Sequence, residues 1–229
     1  STSAFVQRMN EKARELGMED SEFHTVHGLP PAQGQQPDLT SARDLVILSR
    51  EVLKHPLLME WAGTREAPFR DGKFGMHNPN RLLSRFPGAT GFKPCSYAAA
   101  VFNVASTASR DGLDLIAVVL GSANGNERFA AAIDLLDGGF RSYKLLAPVR
   151  EGQETGPQIA ISRGRAGFVV GVAAADLRLR LSREEAAGAK VEVRAPTQVV
   201  APLQKGQKLG EVVVRRGDEQ IAAVDVVSP

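Results

Sequence analysis

A chain of 229 residues with 43% hydrophobic content is long enough to bury one large core or two small ones. Its 28 basic and 26 acidic residues leave a formal charge of +2, which gives no electrostatic basis for a nucleic-acid partner. No run approaches the roughly 20 apolar residues of a membrane-spanning helix, and a single cysteine, Cys95, excludes an internal disulfide and a multi-cysteine metal cluster.

Phe5, Val6, Met9, Ala13 and Leu16 recur at helical spacing and predict an amphipathic helix over Ala4–Leu16, with Gly17 as its stop. Pro30 to Pro37 reads as a loop, after which Thr40 or Ser41 caps a helix carrying Leu45, Leu48, Val52 and Leu53 as far as His55-Pro56. Ala62 to Pro79 is polar and irregular, with Trp61 and Phe69 as packing residues. Gly91-Phe92-Lys93-Pro94-Cys95 then predicts a short strand, and Tyr97 to Ala100 a turn. Val101–Ser109 and Leu113–Leu120 follow as two strands joined at Arg110-Asp111-Gly112. Asn124 or Asn126 can cap a third helix through Phe129, Ala132, Ile133 and Leu136, closed by Gly138-Gly139 and lying on the sheet.

Around Pro148 to Gly156 the pattern shifts to glycines, prolines and short β-branched runs, which sets the expected boundary between residues 1–150 and 151–229. The second part reads as all-β, with strands at Phe168–Val172, Leu177–Leu181, Lys190–Arg194, Glu211–Arg215 and Ile221–Val227 and a hairpin tip at Arg216-Gly217-Asp218. Arg163-Gly164-Arg165 and Arg215-Arg216 read as solvated turns and strand faces. His24, His27, His55 and His77 lack a zinc-binding spacing, so no metal and no cofactor is expected.

A lysine on a strand ahead of a turn and hairpin can hold an anionic substrate end beside a reacting carbonyl. Lys93 is so placed, and the runs around it occur in a recognisable order: Phe5 to Met18, His27-Gly28-Leu29-Pro30, Ser41 to Leu45, Arg81-Leu82-Leu83, Phe86-Pro87-Gly88, Arg110 to Gly121 and Ala201 to Gly210. Together they resemble the serine D-alanyl-D-alanine carboxypeptidases, the low-molecular-mass penicillin-binding proteins, over nearly the whole chain. The resemblance implies an α/β (α+β) fold: an antiparallel meander packed with helices, transpeptidase-like and incomplete, followed by a small all-β sandwich.

Chemistry in that family uses Ser-x-x-Lys, Ser-x-Asn and Lys-Thr-Gly. No Ser-x-x-Lys occurs here, and the Ser-x-Asn of Ser122-Ala123-Asn124 lies after the last strand, as a turn leading into a helix. The third motif survives as Lys93-Pro94-Cys95. Pro94 offers neither the hydroxyl nor the N–H with which threonine would bind a terminal carboxylate, and Cys95 adds bulk where glycine would let the substrate lie close. The resemblance places Lys93, Pro94 and Cys95 at the substrate and the Ser96 backbone N–H in the oxyanion hole, with the nucleophile outside this chain. Cys95 could itself be a nucleophile near a lysine, though a small residue filling a strand position is the better reading.

Three readings follow. The chain is part of a carboxypeptidase that trims peptidoglycan stem peptides and reacts with β-lactams; or a degenerate relative that binds cell-wall peptide or envelope partners; or a structural module in which Lys93 is an ordinary surface lysine. The family implies a periplasmic or extracytoplasmic location, with any membrane association through parts not in this chain. No signal peptide is visible and Ser1 is not methionine, so the start is expected to be processed, engineered or incomplete. The uncovered apolar surface is then expected to meet a missing N-terminal segment or a second chain.

Overall fold

A computed structural model describes residues 1–229, which divide into two compact units, Ser1–Phe140 and Arg141–Pro229. The first unit opens with α1 (Thr2–Leu16), capped by the Ser1 hydroxyl and ended by Gly17 in the left-handed conformation at φ 78°. A loop leads to α2 (Ala42–Val52), where the Ser41 hydroxyl accepts from the Asp44 N–H. The Asp44 carboxylate, nearly fully buried, accepts in turn from the Asp20 N–H at 2.8 Å and the Ser21 hydroxyl at 2.7 Å, which ties the loop to the helix start.

His55-Pro56 does not end α2. The helix stops at Val52, and Pro56 opens a separate helix, α3 (Pro56–Gly63), where a missing N–H is no loss in the first turn. The segment expected to be irregular forms a hairpin of β1 (Glu66–Phe69) and β2 (Phe74–His77), turned by Arg70 and Asp71 at positive φ. Phe69, expected to pack, is 50% exposed on it, and Arg70 lies over the rings of Phe69 and Phe74.

A short helix, α4 (Leu82–Arg85), buries Leu82 and Leu83 and leads into β3 (Ala89–Tyr97), β4 (Val101–Arg110) and β5 (Leu113–Ser122), an antiparallel meander in that order. The β4–β5 turn has two residues, Asp111 and Gly112, both at positive φ, the geometry that matches strand twist. Gly88 is required where the chain enters β3: its φ is 86°, and a Cβ there would stand 2.4 Å from the Ser109 carbonyl oxygen.

α5 (Gly125–Ser142) starts where the Asn124 side chain accepts from the N–H groups of Asn126 and Glu127. It runs through Gly138-Gly139 rather than stopping there, since neither glycine takes the left-handed conformation of a helix stop; Gly139 is instead a packing position, where a Cβ would meet Leu115 Cδ1 at 2.6 Å. Phe129, Ala132, Leu136 and Phe140 are its buried residues. By strand alternation Leu115 shares its sheet face with Val104, Ser106 and Ala108, all buried. The opposite face carries Lys93, Ala105 and Val118, and α2 packs against β4 and β5 while α3 packs against β3.

The second unit is β-rich. β6 (Tyr143–Val149), ahead of the expected boundary at 150/151, pairs with β10 (Leu177–Ser182) of this unit. β7 (Ile159–Ser162), β8 (Phe168–Val169) and β12 (Gln198–Val200) form a three-stranded sheet. β9 (Val172–Ala173), β11 (Ala189–Arg194), β13 (Lys208–Arg216) and β14 (Glu219–Val227) form a four-stranded sheet in the order β11-β13-β14-β9. The strand expected over Phe168–Val172 is therefore split between two sheets. Gly171 lies at the crossing, where a Cβ would stand 2.3 Å from Val226 Cγ1. One short helix, α6 (Arg183–Ala187), carries a capping box between Ser182 and Glu185. The core gathers Val149, Ala173, Leu177, Val212, Val214 and Val226, and Arg163-Gly164-Arg165 is an exposed bend.

Candidate functional site

β3 is an edge strand of the meander, which is why it tolerates Pro94 with no ladder N–H. Its register sets Lys93 opposite Ala105, Pro94 opposite Val104, Cys95 opposite Asn103 and Ser96 opposite Phe102. Side chains alternate along a strand, so Lys93 and Cys95 share one face while Pro94 turns to the other and is buried. Ser96 follows Cys95 as an exposed residue.

Lys93 and Cys95 line a groove of about 840 Å³. Its far wall is apolar, with Leu45, Leu48 and Val52 of α2, Trp61 of α3 and Met76 of β2. Trp61 is not a packing residue: it is 60% exposed. Arg65, Glu66 and His77 also line the groove, so an apolar wall with cations at Lys93 and Arg65 is suited to a ligand that is largely apolar and ends in an anion. The Lys93 ammonium donates to the Pro94 carbonyl oxygen at 2.5 Å, so it rests on its own strand.

A second cation, missed in the sequence, supports the same strand. Arg128, in the first turn of α5, donates through Nη1 to the carbonyl oxygens of Cys95 at 2.8 Å and Asn103 at 3.1 Å. Its guanidinium lies over the rings of Phe102 and Phe129, and its buried Nε has no partner. Burial lowers its pKa, the nearby Arg81 lowers it further, and Cys95 acts in the other direction. Nothing local in the sequence links Arg128 to Cys95, because the connection runs through a hairpin and a helix start.

Residues around the groove brace its walls. Asn78 donates to the carbonyls of Ala62 and Thr64, and Asn80 caps the Leu82 N–H, stitching the end of α3 to α4. Arg110 lies 4.2 Å over the Phe86 ring and 4.6 Å over that of Phe140, and bonds the Pro87 carbonyl and Asp137.

Two sequence families match this chain: D-alanyl-D-alanine carboxypeptidase over residues 1–124, and penicillin-binding protein 5, C-terminal domain, over residues 143–229. The chain belongs to the D-alanyl-D-alanine carboxypeptidase family. Among curated relatives, the D-alanyl-D-alanine carboxypeptidase DacF of Bacillus subtilis is 29% identical over 232 residues, covering 100% of this chain and 58% of the relative. The chain thus spans little more than half the length of such relatives. A peptidoglycan synthesis regulatory factor from Streptococcus pneumoniae shares the fold at a TM-score of 0.68 and 21% identity, over 100% of this chain and 69% of that one. Penicillin-binding protein D2 of Listeria monocytogenes, solved in its cefotaxime-bound form, matches at a TM-score of 0.55 and 28% identity, over 59% of this chain and 55% of that one. The mixed α/β unit followed by a β-rich unit is the architecture of this family's penicillin-binding proteins.

Proposed function

We propose that these residues form part of a serine D-alanyl-D-alanine carboxypeptidase that trims peptidoglycan stem peptides outside the cytoplasm, with the attacking serine on polypeptide beyond residues 1–229. The observation that carries this reading is Lys93, the first residue of the altered third motif: an exposed residue on an edge strand, lining a largely apolar groove. The serine, activated by a lysine base, attacks the carbonyl between two D-alanines. The Ser96 N–H receives the charge that develops on that oxygen, and Lys93 binds the terminal carboxylate. The leaving D-alanine departs, and water then releases the acyl group from the serine. A β-lactam acylates the same serine.

The test is labelling of the complete protein with a fluorescent penicillin, followed by mass spectrometry. A covalent adduct on a serine outside residues 1–229, reduced at least tenfold by Lys93→Ala, is the expected result. A complete protein that takes no label overturns the enzymatic reading.

A second reading, a relative that binds stem peptide without cleaving it, is favoured by Pro94 and Cys95. Proline supplies no hydroxyl for the carboxylate, and the Cys95 side chain lines the groove where glycine would leave room. Saturable binding of a D-alanyl-D-alanine peptide with no release of D-alanine selects this reading over the first.

A further inference from the structure

The outer strand of the four-stranded sheet, β11, has β13 on one side and no strand on the other. Val191 and Val193 stand opposite Val214 and Val212 on the face that forms the core. Val212 and Val214 are fully buried, yet Val191 is 45% and Val193 37% exposed, so the apolar face runs out to an edge that is only partly covered, with Gly156 lying against Val193. On the other face Lys190, Glu192 and Arg194 are exposed and alternate in sign.

We propose that this edge pairs antiparallel with the same edge of a second copy of the chain, with Val191 on the two-fold axis. The pairing is isologous and joins the two four-stranded sheets into one. In that register Lys190 lies opposite the second copy's glutamate at 192, and Glu192 opposite its lysine at 190, so each ion pair occurs twice. Val191 meets its own copy and Ala189 meets the valine at 193, which extends the apolar face of each sheet across the joint.

Charges on an edge strand ordinarily deter pairing; here they reject the competing registers. Centring on Glu192 sets Lys190 against Arg194 and Glu192 against itself, and centring on Lys190 sets that lysine against itself. A shift by half a register places valines opposite charged residues and mismatches the two faces. Centring on Val193 keeps Glu192 opposite Arg194 but draws in Ala195-Pro196, which lie beyond the strand, and centring on Ala189 draws in Ala187-Gly188. A six-residue strand makes a small interface, so the association is weak and reversible.

The experiment is sedimentation equilibrium of the 229-residue chain over a concentration series. A monomer–dimer equilibrium is expected. Glu192→Lys puts a lysine opposite Lys190 twice per dimer and raises the dissociation constant about tenfold. The double swap Lys190→Glu with Glu192→Lys rebuilds both pairs and returns it to within about threefold of the parent. Val191→Cys, in a Cys95→Ser background, forms an intermolecular disulfide on mild oxidation. All positions are exposed, and circular dichroism verifies that each variant is folded. A chain that sediments as a monomer throughout, a dimer indifferent to Glu192→Lys, or one that the double swap does not restore overturns the proposal.

Discussion

The Arg128 guanidinium bonds the carbonyl oxygens of Cys95 and Asn103, two residues that stand directly opposite each other on β3 and β4. One side chain from α5 therefore fixes the edge strand that carries Lys93 to its neighbour, two residues beyond that lysine. Arg128→Ala leaves both carbonyls without this donor and is expected to destabilise the first unit by about 1–3 kcal/mol. At this length that lowers Tm by about 2–4 °C per kcal/mol. Hydrogen exchange should quicken at Ser96 and Tyr97 while the β4–β5 turn is unchanged. Arg128→Lys recovers only part of the protection, since an ammonium on a shorter side chain does not stack on the Phe102 and Phe129 rings as the planar guanidinium does. Unchanged exchange at Ser96 and Tyr97 in Arg128→Ala refutes the strand-holding role.

Adjacent glycines in α5 should respond differently to the same change. A Cβ on Gly138 meets nothing within 4 Å, whereas one on Gly139 meets Leu115 Cδ1 at 2.6 Å. Gly138→Ala is expected to stabilise by about 0.5–1 kcal/mol, the helix-interior gain over glycine. Gly139→Ala forfeits that gain because Leu115 must move within a packed face. Chemical denaturation of the two variants is the check. Equal stabilisation by both shows that α5 does not press on β5 at Gly139.

Those glycines also mark where the sequence was ambiguous. A Gly-Gly pair at the end of an apolar period is the usual stop signal, and only the approach of Leu115, from a strand two dozen residues away, turns Gly139 into a packing position. Signals that act locally read correctly: the Ser41 cap, the Gly17 stop, the Asp111-Gly112 turn and the alternation of Leu177, Leu179 and Leu181 all decide their own backbone. The hairpin of β1 and β2 gave no such signal, because its strands are exposed on almost every residue and carry no buried alternation. At the site, Lys93, Pro94 and Cys95 were legible as a run, and strand alternation sorted them into groove-facing and buried residues. Arg128 was not, since its partners are backbone oxygens that any sequence would present.

Arg110 is a further residue whose charge acts structurally. It lies against the stacked rings of Phe86 and Phe140 and is paired with Asp137 at 3.2 Å, with its Nε on the Pro87 carbonyl at 3.0 Å. Arg110→Ala removes two cation–π contacts worth about 0.5–1 kcal/mol each, the hydrogen bond to Pro87 of similar size and a half-exposed ion pair worth about 0–1 kcal/mol, for a loss of about 1.5–4 kcal/mol. Arg110→Met keeps the apolar stem and can set its sulfur against the two rings, so it should recover roughly half of the ring contribution and none of the polar one. Thermal melts at low and high salt separate the terms. A loss that vanishes in high salt assigns the effect to the exposed Asp137 pair alone and contradicts the stacking account.

Asp38 gives the first unit a definite pH dependence. One carboxylate oxygen accepts from the His24 N–H at 2.7 Å and the Thr25 N–H at 2.9 Å, and the other from the Thr25 hydroxyl at 2.7 Å. Burial opposes the charged form, but these bonds and the nearby His24 outweigh it and hold the pKa below the usual 3.8. A carboxyl depressed in the folded state stabilises fully above its unfolded pKa, and that stabilisation is lost as pH falls through the folded value. The stability gap between the parent and Asp38→Asn should therefore be widest near pH 7, begin to close below about pH 4, and be smallest once Asp38 is protonated in both states. Urea unfolding of the pair at several pH values between about 7 and 2.5 measures it. A gap that stays constant across that range shows that the loop binds the protonated carboxyl as well as the carboxylate, contrary to the geometry of three donors converging on Asp38.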